Sequence, residues 1–262
     1  MKIKDEQSNE VAIKQQAGAV ASLNIEQFAD EGFDNVDSNS LALPFLKVLG
    51  QLSPQVTQGD SQFIAEARPG MIYNTVTNEL YDGSKGIRVI PCFYKLEYLE
   101  WKDRDKGAVA PINVYPADSD IMSKTTRDEK GKDRLENGNY VEETASHYIM
   151  VVEPDKSSTA LLTMKSTQRK KSKKWNSMMM SVTAKKKDGG IYKPATFTQV
   201  YNLKSVLEKN NLGSWYGWDI QHVGAVPNKT LLDAAHDFYK SCSGGKVNVK
   251  FEEEEASKKA PF

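Results

Sequence analysis

"GIRVIPCFYKLEYLEW", residues 86–101, decides the fold class. β-branched and aromatic side chains dominate it, and these suit a pleated surface. Ile87, Val89 and Pro91 alternate with Arg88 and Ile90, the period of an extended strand. Pro91 predicts an edge position or a bulge part-way along. Successive side chains of a strand face opposite ways, so some of Phe93, Tyr94, Tyr98 and Trp101 must belong to the core.

Other stretches extend the β reading in both directions. Upstream, "LALPFLKVLGQLSP" begins the packed domain, with Leu43, Leu46, Val48, Leu49 and Leu52 suited to burial and Pro54 ending the run. "PGMIYNTVTNELYDG" predicts a strand, a turn at Thr77-Asn78 and a second short strand. Downstream, residues 102–144 are charged and weakly periodic, and "KTTRDEKGKDRLENGNY" reads as a long surface loop. "SHYIMVVEP" and "STALLTM" form two short strands of a hairpin turned at residues 154–157. "ATFTQVYNLKSVLEKNNLGSWYGWDIQHVG" predicts two strands around a turn at 210–213, with helix a competitor at 203–209. Leu231, Ala235, Phe238 and Cys242 recur at helical spacing. The fold class expected is mainly β with a few helices. Residues 1–40 read as a polar arm, 41–250 as the domain, and 251–262 as a disordered acidic tail.

The chain has 262 residues, with 35 Lys and Arg against 35 Asp and Glu, so its formal net charge is zero. That balance conceals segregation. Residues 1–40 carry eight acids against three lysines, 165–187 carry nine cations and no acid, and 252–255 are four glutamates. Separated charge of this kind makes distinct positive and negative surfaces. No run of 18 apolar residues exists to span a membrane, and the first residues have no apolar core of a secretory signal. Cys92 and Cys242 lack metal or redox spacing and read as ordinary buried thiols of a cytoplasmic protein.

No phosphate-binding loop, dinucleotide fingerprint, nucleophile elbow or HExxH motif is present, so no cofactor and no enzyme activity is expected. His147, His222 and His236 lie far apart in sequence and read as surface or hydrogen-bonded histidines. Asp118 with Asp120, and Glu142 with Glu143, could hold magnesium in a nuclease, but read better as solvated acids.

Cations interleaved with aromatics carry the positive signal. In "LLTMKSTQRKKSKKWNSMMMS", residues 161–181, Lys165, Arg169, Lys170, Lys171, Lys173 and Lys174 precede Trp175. Ser166 can cap a helix here, and Trp175, Met178, Met179 and Val182 fall on one stripe. Aromatics near other lysines are Tyr94, Tyr98 and Trp101, then Tyr192, Tyr201, Trp215, Tyr216 and Trp218. Phosphates need positive charge and unpaired bases need flat rings, so this combination points to single-stranded DNA. Trp101, Tyr216 and Trp218 are the rings expected to stack. Trp175, on the apolar stripe, is also a core candidate. Lysine positions a backbone without reading base edges, so sequence-tolerant binding is expected.

"LKVLGQLSPQV", "PGMIYNTVTNELYDG", "IRVIPCFYKLEYLEW", "TMKSTQRKKSKKWNSMMM" and "GSWYGW" together resemble the single-stranded DNA-binding proteins of tailed phages, the N-four-like podovirus type most closely. The resemblance implies an OB-like five-stranded barrel with an elaborating hairpin and helices. It implies coating of single strands in phage replication and recombination. It also implies late transcription activation, through contact of the C-terminus with host RNA polymerase. The ending resembles that of bacterial single-stranded DNA-binding proteins, with Glu252, Glu253, Glu254 and Glu255 ahead of a terminal Phe262 that can engage replication proteins. It departs from that pattern at Lys258 and Lys259. Two alternatives remain at this level: a strand-annealing recombination protein, and a metal-dependent nuclease.

Overall fold

The computed structural model describes residues 42–103, 110–154, 156–211, 213–247, 249 and 251. All of them fall within one compact unit, residues 42–262. The arm at 1–40 and the tail at 252–262 lie outside the described residues.

Its frame is a sheet of eight strands. Strands β4 (Ile87–Trp101) and β8 (Tyr140–Val152) form its spine, antiparallel from Arg88 opposite Val152 to Trp101 opposite Tyr140. At one end of this pair, β12 (Gln199–Asn210) joins β4, with β13 (Gly213–Ala225) beyond it, and β9 (Ser157–Lys165) joins β8. At the other end β5 (Asn113–Pro116) lies on β4, while β7 (Asp133–Arg134) and β6 (Thr126–Arg127) continue from β8.

The sheet curls strongly. Ala160, Leu162 and Met164 of β9 and Trp218 and Ile220 of β13 stand on opposite margins, yet they share one core with Val89, Ile149 and Leu203. Five long strands, in the order β13-β12-β4-β8-β9, therefore wrap into an OB-like half-barrel. A small sheet of β1 (Leu46–Val48), β2 (Ile72–Asn74) and β3 (Leu80–Tyr81) adds Leu46 and Ile72 to that core.

The central strand departs from simple alternation for a physical reason. Ile87 and Val89 face the barrel core, while Ile90 and Cys92 face a second core against helix α2 (Lys229–Ser243). A strand covered on both faces has no polar side to display. The bulge predicted at Pro91 falls between Pro91 and Phe93. The edge expectation holds locally as well: β8 pairs on one side of the strand, while on the other side, among the described residues, β12 pairs only at Ile87–Val89 and β5 only at Glu97–Glu100, which leaves Pro91 between them. The helical stripe of Leu231, Ala235, Phe238 and Cys242 is the packed face of α2.

Three local expectations change. Leu52 is exposed, in a turn that leads into a single 3-10 turn at Pro54–Val56. The loop expected at 124–140 contains β6 and β7 and runs into β8 at Tyr140, and the weakly periodic stretch before it contains β5. Ion pairs tie this elaboration together: Arg134 reaches Asp103 (2.9 Å) and Asp128 (2.6 Å). Residues 203–209 are strand as read, and the competing helix is absent there, because Leu203 buries in the barrel at the strand period. Phe251, assigned to the tail from sequence, packs against the sheet beside Leu99, Trp101 and Tyr140.

Candidate nucleic-acid interface

The lysine-rich stretch begins where β9 ends. Ser166 takes a left-handed backbone (φ 49°) and starts one 3-10 turn, so it does not cap the helix. Helix α1 (Arg169–Ser181) follows, with Gln168 at its N-cap position. Gln168 Oε1 accepts a hydrogen bond from the backbone N–H of Trp218 (3.0 Å), tying the helix entry to the margin of β13. Gly217 leaves room beside it for these side chains: a Cβ there would stand 2.7 Å from Gln168 Nε2 and 2.8 Å from Glu208 Oε2, and both would have to shift.

One face of α1 closes the barrel. Trp175 is fully buried, stacked on His147 (ring centroids 4.6 Å apart) and edge-on to Tyr201 (5.7 Å). Met178 and Met179 pack on the same core. Arg169 Nη1 donates to Ser172 Oγ (3.3 Å), and the same hydroxyl is hydrogen-bonded to His147 Nε2 (2.8 Å). Burial, with Arg169 nearby, pushes the His147 pKa down to about 3, so the ring is neutral.

The nine cations of 165–187 divide into two groups. Lys165 pairs with Glu142 (3.0 Å), Arg169 with Glu143 (2.8 Å) and Lys171 with Glu208 (2.6 Å). These three pin β9 and α1 to the sheet; Arg169 holds the Glu143 carboxyl below its usual range, with a smaller effect from Lys173. Lys170, Lys173 and Lys174 are exposed and, among the described residues, form no ion pair. Their i, i+3, i+4 spacing puts them on one helical face, opposite Ser172, Trp175 and Met179.

Lys185, Lys186 and Lys187 belong to a hairpin not anticipated from the sequence. β10 (Ala184–Lys185) pairs with β11 (Ile191–Tyr192), and residues 185–193 are all exposed. Asp188-Gly189-Gly190 was the available signal, since Asp-Gly marks tight hairpins. Gly189 takes φ 87°, which a side chain would strain, and Gly190 N–H donates to Asp188 Oδ1 (3.0 Å). The hairpin starts three residues after α1 ends, so six exposed lysines belong to two consecutive elements.

The aromatic expectations need most correction. Trp101, Trp175, Tyr201 and Trp218 are buried, at 4 % exposure or less, so none of these rings is available to a base. Trp175, Tyr201 and Trp218 fill the barrel core, and Trp101 packs with Leu99 and Tyr140 on the opposite face. Tyr216 is half-buried with its ring against Gly70, where a Cβ would stand 2.7 Å away. Trp215 is half-buried and donates through Nε1 to Glu208 (3.0 Å), the partner of Lys171. Tyr94 and Tyr98 are half-buried, and Tyr94 lies against His147 (5.0 Å). The ring that is exposed in the basic segment is Tyr192, which the sequence argument set among lysines without assigning it to the site.

The acids weighed as magnesium ligands do not converge. Glu142 and Glu143, as neighbours on β8, point to opposite faces, and each meets its own cation. Asp120 pairs with Lys124 (3.0 Å). Among the described residues no group of three or more His, Cys, Asp or Glu side chains could hold a metal, and no helix is long and apolar enough to cross a membrane. Glu252 to Glu255, Lys258, Lys259 and Phe262 lie outside the described residues.

Comparison with known proteins gives one match. A family model described as Pam3 phage gp34-like protein covers residues 13–248, and no curated protein or solved structure matches the chain. The match agrees with the phage side of the resemblance read from sequence motifs.

Proposed function

We propose that this chain, which belongs to the Pam3 phage gp34-like protein family, is a sequence-tolerant binder of single-stranded DNA that serves phage replication and recombination. The observation that carries the reading is the set of six exposed lysines on α1 and the β10–β11 hairpin, free of ion pairs among the described residues. Formal neutrality of the whole chain makes the arrangement informative. Three cations of the same stretch are spent on Glu142, Glu143 and Glu208, and the rest point to solvent.

Chemistry favours a polyanion. Ammonium groups on flexible stems neutralise phosphates as point charges and carry no base-edge code. Binding through them releases counterions, so affinity depends on salt and not on sequence. A curled OB-like sheet is a common platform for single strands, which supports the reading by analogy alone. The protein acts without catalysis in this account. Late transcription activation, through contact of Lys258, Lys259 and Phe262 with host RNA polymerase, is part of the proposal and rests on the sequence resemblance.

The test is a titration of a fluorescently labelled oligo-dT with the full chain, followed by anisotropy and competed with unlabelled duplex and RNA of equal length. Tight binding to oligo-dT, with duplex a poor competitor, is the expected result. Duplex competing equally well would replace the reading with general polyanion binding, and no binding to oligo-dT at low salt would end it.

A further inference from the structure

We infer that Tyr192 is the base-stacking residue of this interface, presented by the β10–β11 hairpin, with Ile191 as an apolar contact on the hairpin's other face. The inference rests on the proposed single-strand binding and deepens it. It assigns recognition of unpaired bases to a residue outside the barrel.

Four observations converge. First, the tryptophans and tyrosines expected to stack are buried or half-buried, so the barrel face offers bases no free ring among Trp101, Trp175, Tyr201 and Trp218. Second, Tyr192 is 44 % exposed and Ile191 is 71 % exposed, so the ring is open to a ligand. Third, the cross-strand neighbour of Tyr192 is Ala184, too small to cover a ring, and Ile191 stands opposite Lys185. Among the described residues no ring contact or hydrogen bond engages the Tyr192 side chain. Fourth, the surroundings are cationic. Lys185, Lys186, Lys187 and Lys193 flank the pair, with Asp188 the one acid of the hairpin and already turned inward on Gly190.

Phe63 is the contrasting case. It is 38 % exposed, but it sits between Asp60 and Glu66, where phosphates are repelled. An exposed ring flanked by lysines suits a strand that is anionic along its backbone and flat at its bases. The geometry is preorganised: Lys186 N–H donates to Gly190 O (2.7 Å) and Gly189 N–H to Lys186 O (3.0 Å), so little conformational freedom is lost on binding. In a two-residue strand, Ile191 and Tyr192 face opposite sides. A base stacked on the Tyr192 ring therefore lies on the face of the hairpin away from Ile191.

The test uses the full chain and two labelled oligonucleotides of equal phosphate number, oligo-dT and an abasic phosphodiester strand. Tyr192→Ala is expected to weaken oligo-dT binding about 5- to 150-fold, the equivalent of one base–aromatic stack. It should leave abasic-strand affinity and the salt slope unchanged. Tyr192→Phe keeps the ring and should bind oligo-dT as the parent does. If Tyr192→Ala binds oligo-dT normally while the parent still binds it in a salt-dependent way, the inference is overturned and single-strand binding stands. Failure of the parent to bind oligo-dT at all removes both. Self-association of the free protein that Tyr192→Ala abolishes, measured by sedimentation, would identify the hairpin as an interface between copies and likewise overturn the inference.

Discussion

At the scale of single residues, Trp175 and His147 show why the stacking residues could not be chosen from sequence. A tryptophan after six cations fits a DNA-contacting ring and a helix core position equally well. Burial decides, and burial depends on which strands curl around the helix. Here Trp175 fills the barrel between His147 and Tyr201. Trp175→Ala should therefore cost about 3–5 kcal/mol of stability, as large aromatic truncations in cores do. Trp175→Phe should fold, melt slightly lower and bind oligo-dT like the parent; differential scanning calorimetry beside the anisotropy titration checks both. His147 supplies a pH signature. Its folded pKa is held down near 3 by burial, with Arg169 adding to it, so the unfolded chain binds the extra proton. The stability tied to its neutral form is fully present above about pH 6.5 and is lost as pH falls toward 3. Between pH 7 and 5 the loss should reach about 2 kcal/mol in urea unfolding, and His147→Gln should flatten that part of the curve. The two cysteines were legible, since isolated thiols among apolar residues have little else to do. Both are buried, with burial pushing each pKa up to about 12, Cys92 also feeling Cys242.

Helix α1 and the β10–β11 hairpin carry the argument at the scale of elements. The period of Trp175, Met178 and Met179 made the helix legible, and the same period sorted its cations. Lys170, Lys173 and Lys174 share the outer face, while Arg169 turns toward Glu143. Which lysines are anchored was not legible, because Glu142, Glu143 and Glu208 come from strands distant in sequence. Substituting Lys170, Lys173 and Lys174 together by Gln should leave the melting temperature unchanged and make the salt slope of DNA binding shallower by about 2, at roughly 0.7 per lost phosphate contact. Arg169→Gln should do the reverse, lowering stability by about 1–3 kcal/mol through the lost charge-assisted bond to Glu143. The hairpin escaped the sequence reading because two-residue strands have no periodicity to detect, and only Asp188-Gly189 marked it. The strand of 87–101 was legible for the opposite reason: a long run of β-branched and aromatic residues leaves helix little room, whereas at 203–209 helix stayed a competitor that the burial of Leu203 in the barrel decides.

For the whole molecule, the central fact is how a neutral chain distributes its charge. Acids from β8 and β12 anchor one third of the basic segment, and two thirds of it faces water. The glutamates of 252–255 are the longest unbroken run of acid in the sequence, close to Phe251, which packs on the sheet beside Trp101. Removing residues 252–262 takes away four glutamates and two lysines. DNA affinity should then stay the same or rise, most visibly at low salt, where screening is weak. Phe262→Ala changes no charge and should leave DNA affinity alone while abolishing any capture of host replication or transcription proteins. The measurement that bears most directly on the account is the salt dependence of oligo-dT affinity, for the parent chain and for a variant with Lys170, Lys173, Lys174, Lys185, Lys186 and Lys187 all changed to Gln. The parent should show log K falling against log salt with a slope near −4, from six contacts at roughly −0.7 each, and the variant a slope near zero with its fold intact. A folded variant that keeps the parent's slope would contradict the account, because the phosphates would then be held elsewhere on the molecule.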